Sequence, residues 1–252
     1  MSPYLFHALI YSWIALALII FIVLRKINAP YGRHSSRAWG PMIGNRLAWM
    51  VMEIPVLIVL WGCIGLAGWD LSTVVWCMAG LFSVHYLHRS VLFPWMLQTR
   101  GKQMPLIIMG SGVVFNLMNG FLLGYYFAHL ADYTPDWFTD WHFITGLTLF
   151  LTGMVINIRA DYQLIGLRKK GSTEHYVIPR GWLFEKISCP NHFGEMIEWM
   201  GFAILTWSLP AVAFFIWTAA NLIPRAMAHH KWYRDKFVDY PKSRKAIIPY
   251  FL

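Results

Sequence analysis

The stretch from Met154 to Trp199, MVINIRADYQLIGLRKKGSTEHYVIPRGWLFEKISCPNHFGEMIEW, decides how the chain is read. Both of its ends are apolar enough for a bilayer, yet each carries a polar stripe. Asn157 and Asp161 stand four residues apart, so they share one helix face, and Arg168 falls two turns further along it. Asn191, Glu195 and Glu198 repeat the pattern at the other end. Between the stripes lies a basic loop with Lys169, Lys170, Arg180 and Lys186. Two spans whose polar faces flank a basic loop make a wet, polar pocket at one membrane face. Ionisable residues inside spans are costly and mark function by default. The competing reading makes the stripes helix-packing contacts, which membrane helices also use.

Composition sets the class. The chain has 252 residues, 58% of them hydrophobic and only 13% charged, where a soluble domain carries about 25% charge. A polytopic membrane protein is expected. The first apolar run, Leu5 to Leu24, has neither a basic n-region nor a small-residue cleavage site and reads as a retained span. Cys63, Cys77 and Cys189 have no metal-like or redox spacing and give no disulfide framework. A net charge of +9 in a soluble protein would point to nucleic acid. Here topology accounts for it, and no nucleic-acid partner is expected.

Apolar runs of spanning length, about 20 residues, fall at 5–24, 47–68, 71–97, 105–128, 141–165, 192–208 and 210–230. The expected fold is therefore an all-α membrane protein of seven transmembrane helices, one domain over 1–252, and a monomer. Ser208, Leu209 and Pro210 alone separate the last two runs, which implies a tight hairpin. All 21 Lys and Arg residues fall in or beside the first, third and fifth loops and the tail. The even loops carry Asp70, Asp132, Asp136 and Asp140 instead. The positive-inside rule then places the N-terminus outside and the C-terminus in the cytosol. The longest non-spanning pieces are 27–45 and 166–190, and a loop as long as the second is often a binding loop or lid.

Polar residues inside the runs lie toward the cytosolic side. Glu53 is two turns into the second run, and Tyr86 and Arg89 are three apart in the third. Asn116 and Asn119 sit within GVVFNLMNG in the fourth, where they read as helix–helix contacts. Arg225, His229 and Tyr233 follow at four-residue spacing in the seventh. A cavity open to the cytosol hydrates such groups, whereas packing contacts have no reason to choose a side. Arginines with amides and carboxylates suit a ligand bearing phosphate, ribose and carboxamide groups. A dinucleotide fits that inventory, and no Rossmann glycine motif is present to hold one. Glu53 and Tyr86, if they face each other, can donate to a carbonyl oxygen whose charge grows during reaction. His85, His88, His229 and His230 lack a carboxylate–histidine spacing, so no metal site is expected. The tail DYPKSRKAIIPYFL also reads as a basic membrane-surface anchor.

Taken together, MEIPV (52–56), HYLHR (85–89), NGFLLGYY (119–126), GMVINIRADYQLIGLRKKG (153–171), IPRGWLFEKISCPNHFGEMIEWMGFAILTWSLPA (178–211) and RAMAHHKWYRDKFVDYPKSRKAIIPYFL (225–252) resemble the steroid 5α-reductase family. The resemblance implies a seven-helix membrane oxidoreductase that uses NADPH to reduce the 4,5 double bond of a 3-oxo-Δ4 steroid. It implies that Glu53 and Tyr86 bind the substrate 3-oxo group. It also implies that Asn157, Asp161, Arg168, Asn191, Glu195, Arg225, His229 and Tyr233 bind the cofactor, with Arg89 joining them. The cofactor part would lie mainly in 153–252 and the substrate pocket in the first four helices. Met52, where the family often has Gln, and Lys102 and Met104 depart from the pattern.

The expected partners are a steroid or another lipid-like enone and the membrane lipids. A related reductase of enoyl thioesters or polyprenoids would use the same chemistry. An isoprenylcysteine-type methyltransferase has a similar helical pocket. A transporter fits less well, because the charges gather at one face rather than along a path across the bilayer. The want of a targeting sequence fits a bacterial inner membrane, and the endoplasmic reticulum is the eukaryotic counterpart.

Overall fold

The computed structural model describes residues 1–30, 32–97, 101–169 and 177–252, without the side chains of Arg33, Arg168 and Lys169. Its long helices fall on the seven apolar runs. They are α1 (Pro3–Lys26), α2 (Asn45–Leu66), α3 (Thr73–Leu87) with its extension α4 (Phe93–Met96), α5 (Leu106–His129), α6 (Trp141–Lys169), α7 (Pro190–Thr206) and α8 (Leu209–Lys236). Five of them, α1, α2, α5, α6 and α8, are long and apolar enough to cross a membrane. The third run differs from its expectation. A π-helical turn, His88–Leu92, interrupts it between α3 and α4 and carries Arg89. The hairpin between α7 and α8 is as tight as expected, with only Trp207 and Ser208 between the helices and Trp207 at φ 43°.

The chain divides into two compact units. One comprises Ala29–Ile144 and Leu205–Ala211, and the other Met1–Asn28, Thr145–Ile204 and Val212–Leu252.

The first unit departs from an all-α architecture by a short ribbon. β1 (Met42–Gly44) pairs antiparallel with β2 (Gln103–Pro105), Ile43 opposite Met104. Each strand runs straight into a helix, β1 into α2 and β2 into α5. The two helices run parallel, since Gly112, Gly120 and Gly124 of α5 meet Met52, Val56 and Leu60 of α2 in the same order. The GxxxG of Gly120 and Gly124 completes the fit, because a Cβ at Gly120 would strike the Val56 carbonyl and one at Gly124 the Leu60 carbonyl. Small residues at four-residue spacing let helix backbones approach this closely. The ribbon at one end and the glycines further along fix the register of α5 against α2, and so fix what Asn116 faces.

In the second unit α6 and α7 cross antiparallel with almost no side chain between them. A Cβ on Gly153 would collide with the Glu198 backbone, and one on Gly194 with the Asn157 backbone. α1 joins this unit through Trp13. Its carbonyl accepts from Trp217 Nε1 of α8 at 2.9 Å, and the two indole rings lie 4.4 Å apart.

The tail is built into this unit rather than laid on its surface. Ser188 N and Cys189 N donate to the carbonyls of Lys245 and Ala246, and Lys245 N returns to the Lys186 carbonyl. Cys189, Ala226 and Ile247 close over the junction as a small apolar core. Arg244, 1% exposed, donates to the Pro179 carbonyl at 3.2 Å and lies 3.7 Å from Glu185.

Candidate active site

Two buried polar clusters stand out, one in each unit. In the first unit, α2 brings Glu53 and α3 brings Tyr86, both buried, and α5 supplies the link. Asn116 Nδ2 donates to Glu53 Oε2 at 3.1 Å and to the Met52 carbonyl at 2.7 Å. The Tyr86 hydroxyl donates to Asn116 Oδ1 at 3.1 Å. The local sequence favours this arrangement. Pro55 has no N–H for the Val51 carbonyl, which interrupts the backbone bonding of α2 one residue before Met52, and the Met52 carbonyl accepts Asn116 Nδ2 on a second lone pair. The structure thus brings Glu53 and Tyr86 onto a single amide. Asn116 had read as a packing contact; it is that, and it is also the bridge. The sequence held a signal for it. Gly112, Asn116, Gly120 and Gly124 repeat at four-residue spacing, which puts Asn116 on the contact face of α5. Arg89, in the same unit, lies with its guanidinium 4.7 Å from the Trp49 ring and 4.8 Å from the Phe93 ring. Such π-helical turns recur at functional sites because they displace a side chain from its regular register.

The second cluster joins α6 to α7. Asn157 Nδ2 donates to the Asn191 carbonyl at 3.0 Å and to Glu195 Oε2 at 3.3 Å. Asn191 Nδ2 donates to Asp161 Oδ1 at 2.9 Å. Asn157 and Asp161 are buried, Asn191 and Glu195 half-buried. The glycine crossing makes the pattern possible, since only a close approach lets an α6 amide reach both the backbone and a carboxylate of α7. From α8 come Arg225, His229 and Tyr233. The His229 ring lies 5.9 Å from that of His192, the neighbour of Asn191, which ties α8 to the same end of α7. Tyr233 stacks on Tyr240 of the tail at 5.4 Å. Arg168 lies on the last turns of α6, but its side chain is outside the described residues.

Sequence reasoning did not foresee the junction beneath these groups. Ser188 Oγ lies 2.7 Å from His230 Nδ1, 2.6 Å from the Tyr240 hydroxyl and 3.0 Å from the Lys245 carbonyl. Burial pushes the Tyr240 phenol up from its ordinary range, and its bond to Ser188 opposes that shift. Among the described residues no group of three or more His, Cys, Asp or Glu side chains is arranged to hold a metal ion.

The chemistry of the second donor set fits a dinucleotide. Its amides and carboxylates suit a carboxamide and ribose hydroxyls. Long apolar helices with buried ionisable groups fit a multi-pass membrane enzyme. Comparison with known proteins agrees. The family model described as 3-oxo-5-alpha-steroid 4-dehydrogenase matches residues 102–252. The chain is 42% identical over 253 residues to the steroid 5-alpha-reductase DET2 of Gossypium hirsutum, covering 98% of this chain and 97% of that one. It is 41% identical over 253 residues to the 3-oxo-5-alpha-steroid 4-dehydrogenase 1 of Bos taurus, covering 99% and 98%. It is 41% identical over 248 residues to the enzyme of that name from Homo sapiens, covering 98% and 95%. The chain belongs to the 3-oxo-5-alpha-steroid 4-dehydrogenase family.

Proposed function

We propose that the chain reduces the 4,5 double bond of a 3-oxo-Δ4 steroid within the membrane, at the expense of NADPH. The observation that carries this reading is the buried Glu53–Asn116–Tyr86 cluster in a chain of this family. Glu53 and Tyr86 donate hydrogen bonds to the 3-oxo oxygen and stabilise the charge that gathers there as C5 accepts a hydride. The enolate then takes a proton at C4 from solvent, which leaves the saturated ketone. Bound NADPH supplies the hydride and departs as NADP+. Asn157, Asp161, Arg168, Asn191, Glu195, Arg225, His229 and Tyr233 hold the cofactor, with Arg89 joining them. Carboxylates beside ribose hydroxyls, and guanidinium beside phosphate, are the pairings this donor set offers.

The same reading makes the chain a seven-span protein, with its N-terminus outside and its tail in the cytosol. The one-sided distribution of all 21 basic residues supports that orientation. It also places the basic loop where a cytosolic cofactor is met.

The test is conversion of a 3-oxo-Δ4 steroid such as progesterone by purified protein in lipid with NADPH, followed by mass spectrometry. The expected product is two mass units heavier, with an α hydrogen at C5. NADPH binding without steroid reduction would move the search to enoyl thioesters and polyprenoids. A folded sample that binds no NADPH would end the reductase reading.

A further inference from the structure

We propose that Asn116 is the positioning residue of the carbonyl site, and that it selects which oxygen of Glu53 faces the substrate. The inference rests on the reading above of Glu53 and Tyr86 as the pair that binds the 3-oxo group.

The Met52 carbonyl fixes the orientation of the Asn116 amide. A backbone carbonyl only accepts, so the atom of Asn116 that lies 2.7 Å from it is the amide nitrogen. The orientation of the side chain follows, because a flipped amide would set two carbonyl oxygens against each other. With the nitrogen fixed, its second hydrogen goes to Glu53 Oε2 at 3.1 Å, and Oδ1 is left to accept from the Tyr86 hydroxyl at 3.1 Å. Every polar atom of a side chain only 2% exposed is thereby used. Two consequences follow. Glu53 Oε2 is held as an acceptor, so a proton on this carboxyl sits on Oε1, and Oε1 is the oxygen that donates to a substrate carbonyl. The Tyr86 O–H points at an amide oxygen, a neutral acceptor that an incoming ketone oxygen replaces by rotation of the hydroxyl alone, with the ring unmoved. Both donors to the carbonyl therefore hang from one amide. The backbone of that amide is set in turn by the β1–β2 ribbon and by Gly120 and Gly124.

Asn116 does not meet the substrate in this account, so its removal should lower the rate of the chemical step rather than substrate binding. Asn116→Leu keeps the volume and removes the donors. Its single-turnover rate should fall about tenfold, the effect of one hydrogen bond lost from a buried network. Progesterone KM and NADPH affinity should stay within about twofold of the unsubstituted protein. Adding Asn116→Leu to Glu53→Leu should cost no further rate, because the group it orients is already gone. Asn116→Asp provides a second readout. Its protonated form retains one donor and its ionised form retains none, so its pH profile should carry a second falling limb, besides the one that loss of the Glu53 proton gives the unsubstituted protein. Full activity of Asn116→Leu beside an inactive Glu53→Leu would overturn the positioning role and leave the carbonyl site standing. A loss in Asn116→Asp without the second limb, or additive losses in the double variant, would also overturn it. Full activity of Glu53→Leu would overturn the carbonyl site itself, and this inference with it.

Discussion

The two units bury polar groups among apolar helices in different ways. In the α2–α3–α5 unit, three side chains from three helices meet, and a single amide satisfies the other two. In the α6–α7 pair, glycines bring two backbones together, and side chains bond to backbone as readily as to each other. The first design is sparse and leaves its acid and phenol able to turn toward a ligand. The second is dense and holds a broad polar face in one shape, which suits a large ligand with many hydrogen-bonding groups. Buried polar groups are costly unless satisfied, and each arrangement supplies its members with partners.

Substitutions separate the two designs, and the largest effect belongs to the dense one. Gly153→Val and Gly194→Val force side chains into backbone, at a cost of roughly 3 kcal/mol or more. Both should abolish monodisperse, NADPH-binding protein in detergent. Gly62→Ala, where nothing lies within 4 Å of an added Cβ, should leave Tm unchanged or slightly raised. A tolerated Gly153→Val would mean that the helices do not cross so closely. In the sparse cluster the effect falls on rate. Glu53→Leu and Tyr86→Phe should each lower kcat by about 10²–10³, the usual loss for one oxyanion donor. Thermal melts of these variants should match that of the unsubstituted protein within a few degrees.

Smaller effects are expected away from both clusters. Ser188→Ala removes a hydroxyl with three partners at the tail junction and should cost about 1–2 kcal/mol, read as a lowered Tm. The smallest effect is at the start of α6. The backbone N–H of His142, and then its imidazole, hold the Asp140 carboxyl below the usual carboxylate range. A depressed folded pKa stabilises above the unfolded pKa, and that stability is lost as pH falls through the folded value. Asp140 is exposed, so solvent screens the effect. Asp140→Asn should lower Tm slightly at neutral pH and not at all in strong acid. An equal shift at both extremes would remove this explanation.

Much of this was legible in the sequence. Helices formed on each of the seven apolar runs because hydropathy and length are local properties of the chain. The stripe of Asn157 and Asp161 and that of Asn191 and Glu195 met because helical spacing put each on one face. What the sequence concealed depends on residues far apart along it. The pairing of 42–44 with 103–105 has no signature in two three-residue strands, yet it sets the register that carries Asn116 to Glu53. The π-helical turn at His88–Leu92 leaves hydropathy unchanged and was invisible for that reason. The tail read as a basic anchor because Lys242, Arg244 and Lys245 stand together. The structure buries Arg244 under Pro179 and Glu185, a contact 65 residues apart that charge counting cannot show.

The central claim is that the two clusters divide the work, one holding cofactor and the other activating the ketone. Measuring NADPH affinity and the single-turnover rate of progesterone reduction, side by side in Asp161→Asn and Glu53→Leu, tests it most directly. The account predicts that Asp161→Asn weakens NADPH binding by about tenfold yet reduces steroid at a near-normal rate once saturated. It predicts that Glu53→Leu binds NADPH normally and loses the chemical step. The reverse pattern, or the same pattern in both variants, would contradict it.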